Sequence, residues 1–228
     1  MKNAGVVGLG VRSASKSLTP GCPKPVIPSG SRTMPAAHSV NPRPSVPYST
    51  LPHLLEDCAR RIPDAPAILA PGRAPLSYGR LYQHIGTMGR TLRAMGIGRN
   101  DRVAVVLPNG PEMAVANLTV EAWAVCAPLN LAHGAEELGR YFADLRPSSL
   151  IMEAGINSPA RRVALSRGIG IVELSTASDA EAGLFALAGD QRSTPSDDSA
   201  SADDVALLLP TSGTTSRPKI VPLTHANI

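Results

Sequence analysis

Residues 102–107 read Arg-Val-Ala-Val-Val-Leu, and no other stretch limits the fold as strongly. A strand with one wet face alternates apolar and polar residues. This one is apolar on both faces. It therefore needs cover above and below, as an interior strand of a parallel sheet has. Pro108-Asn109-Gly110-Pro111 then turns the chain. A helix is expected over 112–124, apolar nearly all round and hence buried. Asn117 and Glu121 interrupt it, and about 20 apolar residues would be needed to span a bilayer.

The same alternation runs through the rest of the chain. Thr50 is placed to cap a helix to about residue 61, with Leu51, Leu54, Leu55 and Cys58 on one face and Pro63 beyond its end. Short strands are expected at 67–70 and 76–78, around the turn Pro71-Gly72. A helix from Ser77 to about residue 95 carries Leu81, Ile85, Met88, Leu92 and Met95 at spacings of three and four, the mark of a buried stripe. Gly96 and Gly98 stop it. Tyr78, Tyr82 and His84 on this helix read as packing or surface residues. Strands follow at 126–131, 149–152 and 169–174. Helices are expected at 136–144, with Leu138, Tyr141, Phe142 and Leu145 inward, and at 159–167. Residues 175–204 are polar and contain Asp197, Asp198, Asp203 and Asp204; they read as a loose, solvated connection rather than a metal site. Short connections between alternating strands and helices define an α/β fold, a largely parallel sheet with flanking helices. No internal repeat is visible.

Apolar residues make up 43% of the 228, enough for a core, although aromatics are only 3%. The net charge of +4 is unevenly distributed. Lys2, Arg12, Lys16, Lys24, Arg32 and Arg43 precede the first acid, Glu56, so the start is strongly basic and the remainder slightly acidic. That distribution argues against a nucleic-acid surface. Eight prolines between Pro20 and Pro47 interrupt any helix. Residues 1–49 are therefore expected to be a disordered, basic, Pro/Ser-rich extension, and residues 50–228 the folded domain. A basic, Ser-rich, acid-poor start is similar to an organellar transit peptide, but the prolines oppose the amphipathic helix such a peptide uses. Either Met1 or Met34 could serve as the start. Cys22, Cys58 and Cys126 form no metal or disulfide pattern, which fits a reducing cytoplasm. The five histidines are scattered, with no nucleophile beside any of them.

The chemistry is concentrated near the end. An apolar run over 205–209 reads as a buried strand that breaks at Pro210 into Thr211, Ser212, Gly213, Thr214 and Thr215; Pro218 stiffens the exit and Lys219 follows. Hydroxyls donate to phosphate oxygens, Gly213 lets backbone approach closely, successive N–H groups form an anion nest, and Lys219 adds a point charge. Residues 220–223 look apolar again, and Pro222 points to an edge strand or a bulge. Composition alone would favour an ordinary Ser/Thr turn; the order of the residues is what points to phosphate.

The order Thr211-Ser212-Gly213-Thr214-Thr215, then Pro218-Lys219, resembles the signature loop of the adenylate-forming superfamily of acyl-CoA synthetases, luciferases and peptide-synthetase adenylation domains. Ser216 and Ile220 stand where that family often has glycine. No Gly-Lys-Ser/Thr closes the loop, so it is not a Walker loop. Residues 101–113, Pro128-Leu129-Asn130 and residues 136–150 resemble the amino-terminal part of acyl-CoA synthetases, and the wording from Thr214 to Thr224 is similar to that of oxalate–CoA ligases. The resemblance implies an acid–thiol ligase that uses ATP, Mg²⁺ and CoA on a small carboxylic acid. It implies phosphate binding by Thr211, Ser212, Gly213, Thr214, Thr215 and Lys219. It also implies that the adenine, ribose, Mg²⁺ and acyl sites and the catalytic lysine lie after residue 228, so no catalytic residue or metal ligand is assigned here. The expectation is a partial domain, inactive alone. Two other readings stay open: a non-catalytic nucleotide- or partner-binding remnant, and an unrelated α/β protein with a structural turn.

Overall fold

The computed structural model describes residues 48–192, 200–211 and 219–228. Helix α1 (Leu51–Arg61) starts where Thr50 accepts a hydrogen bond from the His53 amide at 3.4 Å. Strands β1 (Pro66–Ile68) and β2 (Leu76–Ser77) form a small antiparallel pair. Helix α2 (Tyr78–Ala94) is capped by Ser77, which accepts from the Arg80 amide. Its stripe of Leu81, Ile85 and Leu92 is buried, and Gly96, at φ 78°, turns the chain out of the helix.

The main sheet follows: β3 (Arg102–Val106), β4 (Val125–Pro128), β5 (Ser149–Glu153), β6 (Gly170–Ser175), β7 (Ala186–Ala188), β8 (Val205–Thr211) and β9 (Lys219–Thr224). Between them run α3 (Pro111–Trp123), α4 (Ala135–Leu145) and α5 (Pro159–Ser166). The strand order is β7-β6-β5-β3-β4-β8-β9, with β6, β5, β3, β4 and β8 parallel and both edge strands antiparallel. This is the largely parallel α/β sheet that the pattern at 102–107 requires. β3 lies inside it, and its residues alternate between two cores. Val103 and Val105 pack with α1, α2 and α3, whereas Ala104 and Val106 pack with α4 and α5. Leu138, Tyr141, Phe142 and Leu145 all face inward as expected.

The structure corrects three expectations. Residues 175–204 are not wholly loose: β7 pairs with β6, and Ala182 and Phe185 are buried. The apolar content of Leu184-Phe185-Ala186-Leu187 is enough to close that edge of the sheet. Leu54 is 37% exposed, because the packed side of α1 centres on Leu51 and Leu55. The run at 205–209 is neither buried throughout nor broken at Pro210. β8 continues to Thr211, with Pro210 opposite Ile220, and Leu209 is 36% exposed. Its neighbour β9 is the sheet edge, as Pro222 suggests. Lacking an N–H, Pro210 and Pro222 thin the ladder without ending it.

Candidate functional site

The site is a hairpin arm at the end of the sheet. β8 meets the parallel strands at one register pair, Cys126 with Leu207, and its other residues pair only with β9. In that register Leu208 and Leu209 run alongside Ala127 and Pro128, and residues 210–211 with their partners 219–220 extend beyond the end of β4.

The base of the arm is fixed by contacts distant in sequence. Asp204 accepts from Arg99 through Nε at 2.6 Å and Nη2 at 2.8 Å, and from the Ser201 amide at 2.7 Å. The guanidinium is the main reason its carboxyl is held below the usual range. The Asp204 carbonyl accepts from the His225 amide at 3.0 Å. His225 is 6% exposed and its Nδ1 accepts from the Leu51 amide at 3.3 Å. That amide is among the first-turn donors that a helix cannot satisfy internally. Burial lowers the His225 pKa, so the imidazole stays neutral and able to accept. Beside it, Glu121, Asp204, Arg99 and His225 line a small polar recess of about 20 Å³, room for one water. Glu121 is 8% exposed, and burial lifts its pKa to about 7.

At the tip, Thr211 and Lys219 stand opposite each other as the last β8–β9 pair, and Thr211 Oγ1 donates to the Lys219 carbonyl at 3.2 Å. Both are exposed, and among the described residues Lys219 has no ion-pair partner. Of the six residues singled out in the sequence, the structure brings these two together. Ser212, Gly213, Thr214 and Thr215 lie outside the described residues. An exposed lysine paired in register with a threonine at the mouth of a hydroxyl-rich loop suits an anion with several oxygens. Sequence reasoning missed Arg99, Asp204, His225 and Glu121. Asp204 sat among acids read as solvated, and its partner lies 105 positions away, a pairing without local signature. Among the described residues no group of three or more His, Cys, Asp or Glu side chains could hold a metal ion, and no helix is long and apolar enough to cross a membrane.

The layout matches solved proteins. MatB from Rhodopseudomonas palustris superposes with a TM-score of 0.60 at 27% identity, over 78% of this chain and 35% of that one. The N-terminal subdomain of NpsA from Klebsiella oxytoca gives 0.57 at 22% identity, over 77% of this chain and 42% of that one, a likeness of fold alone. The class is therefore the N-terminal subdomain architecture of adenylate-forming enzymes. Residues 55–228 match the family described as AMP-binding enzyme, and the chain belongs to it. Curated relatives include an oxalate–CoA ligase of Arabidopsis thaliana, 39% identical over 78% of this chain and 36% of the relative. A sulfoacetate–CoA ligase of Cupriavidus necator is 36% identical over 79% of this chain and 36% of the relative. The chain spans about a third of the length of these relatives.

Proposed function

We propose that this chain supplies the phosphate-holding hairpin of an ATP-dependent acid–CoA ligase. In the proposed reaction a carboxylate oxygen attacks the α-phosphorus of ATP, forming acyl-adenylate and expelling pyrophosphate. The CoA thiol then attacks the acyl carbon and AMP departs. The ligase names of the curated relatives and the family membership support the reaction class. The observation that carries the site is the pairing of Thr211 with Lys219, which sets a cation and a hydroxyl at the mouth of the loop 212–218.

Thr211, Ser212, Gly213, Thr214, Thr215 and Lys219 would hold the β- and γ-phosphates and meet the charge that builds on departing pyrophosphate. Preorganised donors of this kind contribute roughly 3–4 kcal/mol each where one has been removed. Mg²⁺ would enter bound to ATP as part of the substrate, and the acid that the resemblance implies for it lies after residue 228. The acid is a small carboxylic acid.

The two half-reactions separate the roles. In the ligase polypeptide that contains these residues, Lys219→Ala should depress carboxylate-dependent ATP–pyrophosphate exchange at least tenfold. Thiol transfer from supplied acyl-adenylate should stay within about twofold, because no pyrophosphate is present in that step. Equal losses in both, or unchanged exchange, would reduce these residues to a structural turn.

A further inference from the structure

On the face of the sheet that carries α1, α2 and α3, an open groove of about 850 Å³ runs between α1, α2 and the end of α3. Its floor is apolar: Leu55 from α1, Ile85 from α2, Ala122 and Trp123 from α3. Gly86 leaves bare helix backbone there, and a Cβ at that position would meet only the end of Arg90, at 3.7 Å.

Trp123 is fixed in place from both sides. Its indole lies so close to Gly89 that a Cβ there would fall 2.1 Å from Nε1. The Arg93 guanidinium lies over the ring, 4.4 Å from its centroid. The indole Nε1 is buried and has no hydrogen-bond acceptor among the described residues. The rim is polar and cationic. Arg90 is exposed and donates to Thr87 Oγ1 at 3.1 Å, and that hydroxyl donates in turn to the Gln83 carbonyl at 3.0 Å. Among the described residues no acid lines the groove, although the chain beyond residue 55 is acidic overall.

An apolar floor, a guanidinium edge with no lining carboxylate among the described residues, and a volume within the usual range for small-molecule sites (roughly 300–1,000 Å³) select one kind of occupant. An uncharged hydrocarbon would leave Arg90 unused. A small inorganic anion would leave the floor wet. We propose that this groove binds a small amphipathic organic anion, its apolar body over Ile85 and Trp123 and its acidic head on Arg90. Guanidinium–carboxylate contact at the edge would supply discrimination, and the floor most of the affinity.

Trp123 is the only tryptophan in the sequence, so its fluorescence reports on this groove alone. Octanoate and 1-octanol, of equal chain length, are the probes, titrated into the 228-residue protein. Octanoate should change Trp123 emission saturably, with a midpoint at least tenfold below that of octanol. Arg90→Gln, at an exposed position, should raise the octanoate midpoint about tenfold and leave the octanol response in place. Gly86→Leu, which fills the groove from a helical position with room for it, should abolish the octanoate response without lowering the melting temperature. Equal midpoints for the two probes, an octanoate midpoint indifferent to Arg90→Gln, or a response that never saturates would each overturn the proposal.

Discussion

Glu121 shows how one buried residue sets a pH dependence. The unfolded carboxyl titrates near 4.5 and the folded one near 7. Below 4.5 both states are protonated and the residue costs nothing. As pH rises through 7 the fold must hold a buried carboxylate, and the loss approaches about 3 kcal/mol. His225 acts with the opposite sense: its folded pKa is lowered, so stability falls as acid charges it from pH 6.5 downward. Glu121→Gln should therefore melt higher than the parent at pH 8.5, and this difference should shrink towards zero at pH 5. Thermal melts at the two pH values check it; a parent equally stable relative to the variant at both would refute the burial argument. Gly89 sets a steric limit. Gly89→Ala drives a methyl into the Trp123 indole and should cost about 1–3 kcal/mol in urea unfolding, with a shift in Trp123 emission.

Elements differ in how much the fold depends on them. The inward stripe of α4 packs on β3, β4 and β5, and Leu138 is 1% exposed. Leu138→Ala should cost about 2–5 kcal/mol. Thr211→Val, at the exposed tip of the hairpin, should cost under about 1 kcal/mol, and chemical denaturation of the two variants compares them directly. The same contrast explains what was legible in the sequence. Periodicity announced α2 and α4, and two-sided hydrophobicity announced β3, because their partners impose regular patterns. β7 is only Ala186–Ala188, too short to show a period, and it was hidden in a polar segment. The extent of β8 was misread because Pro210 is a break signal for an interior strand, whereas here the ladder with an edge strand tolerates it.

At the scale of the whole molecule, the sheet order positions the hairpin. Pairing with β4 at Leu207 and the clamp of Arg99, Asp204 and His225 at the base leave the tip projecting. The loop motif was legible because it is contiguous; the clamp was not, because it joins residues from α1, the turn before β3 and both ends of the hairpin. The purified 228-residue chain is predicted to release no pyrophosphate in a carboxylate-dependent manner, since it spans about a third of its relatives' length. Detectable release with any small acid would contradict that. The central claim is that Lys219 and the loop it closes hold the phosphates of ATP. Calorimetric titration of MgATP into the ligase polypeptide that contains these residues, as the parent and as the Lys219→Ala variant, tests it most directly. The predicted result is saturable binding by the parent, weakened about tenfold in the variant, as loss of one charge-assisted contact of about 1.5 kcal/mol requires. Equal affinity in both chains, or no binding by the parent, would contradict it.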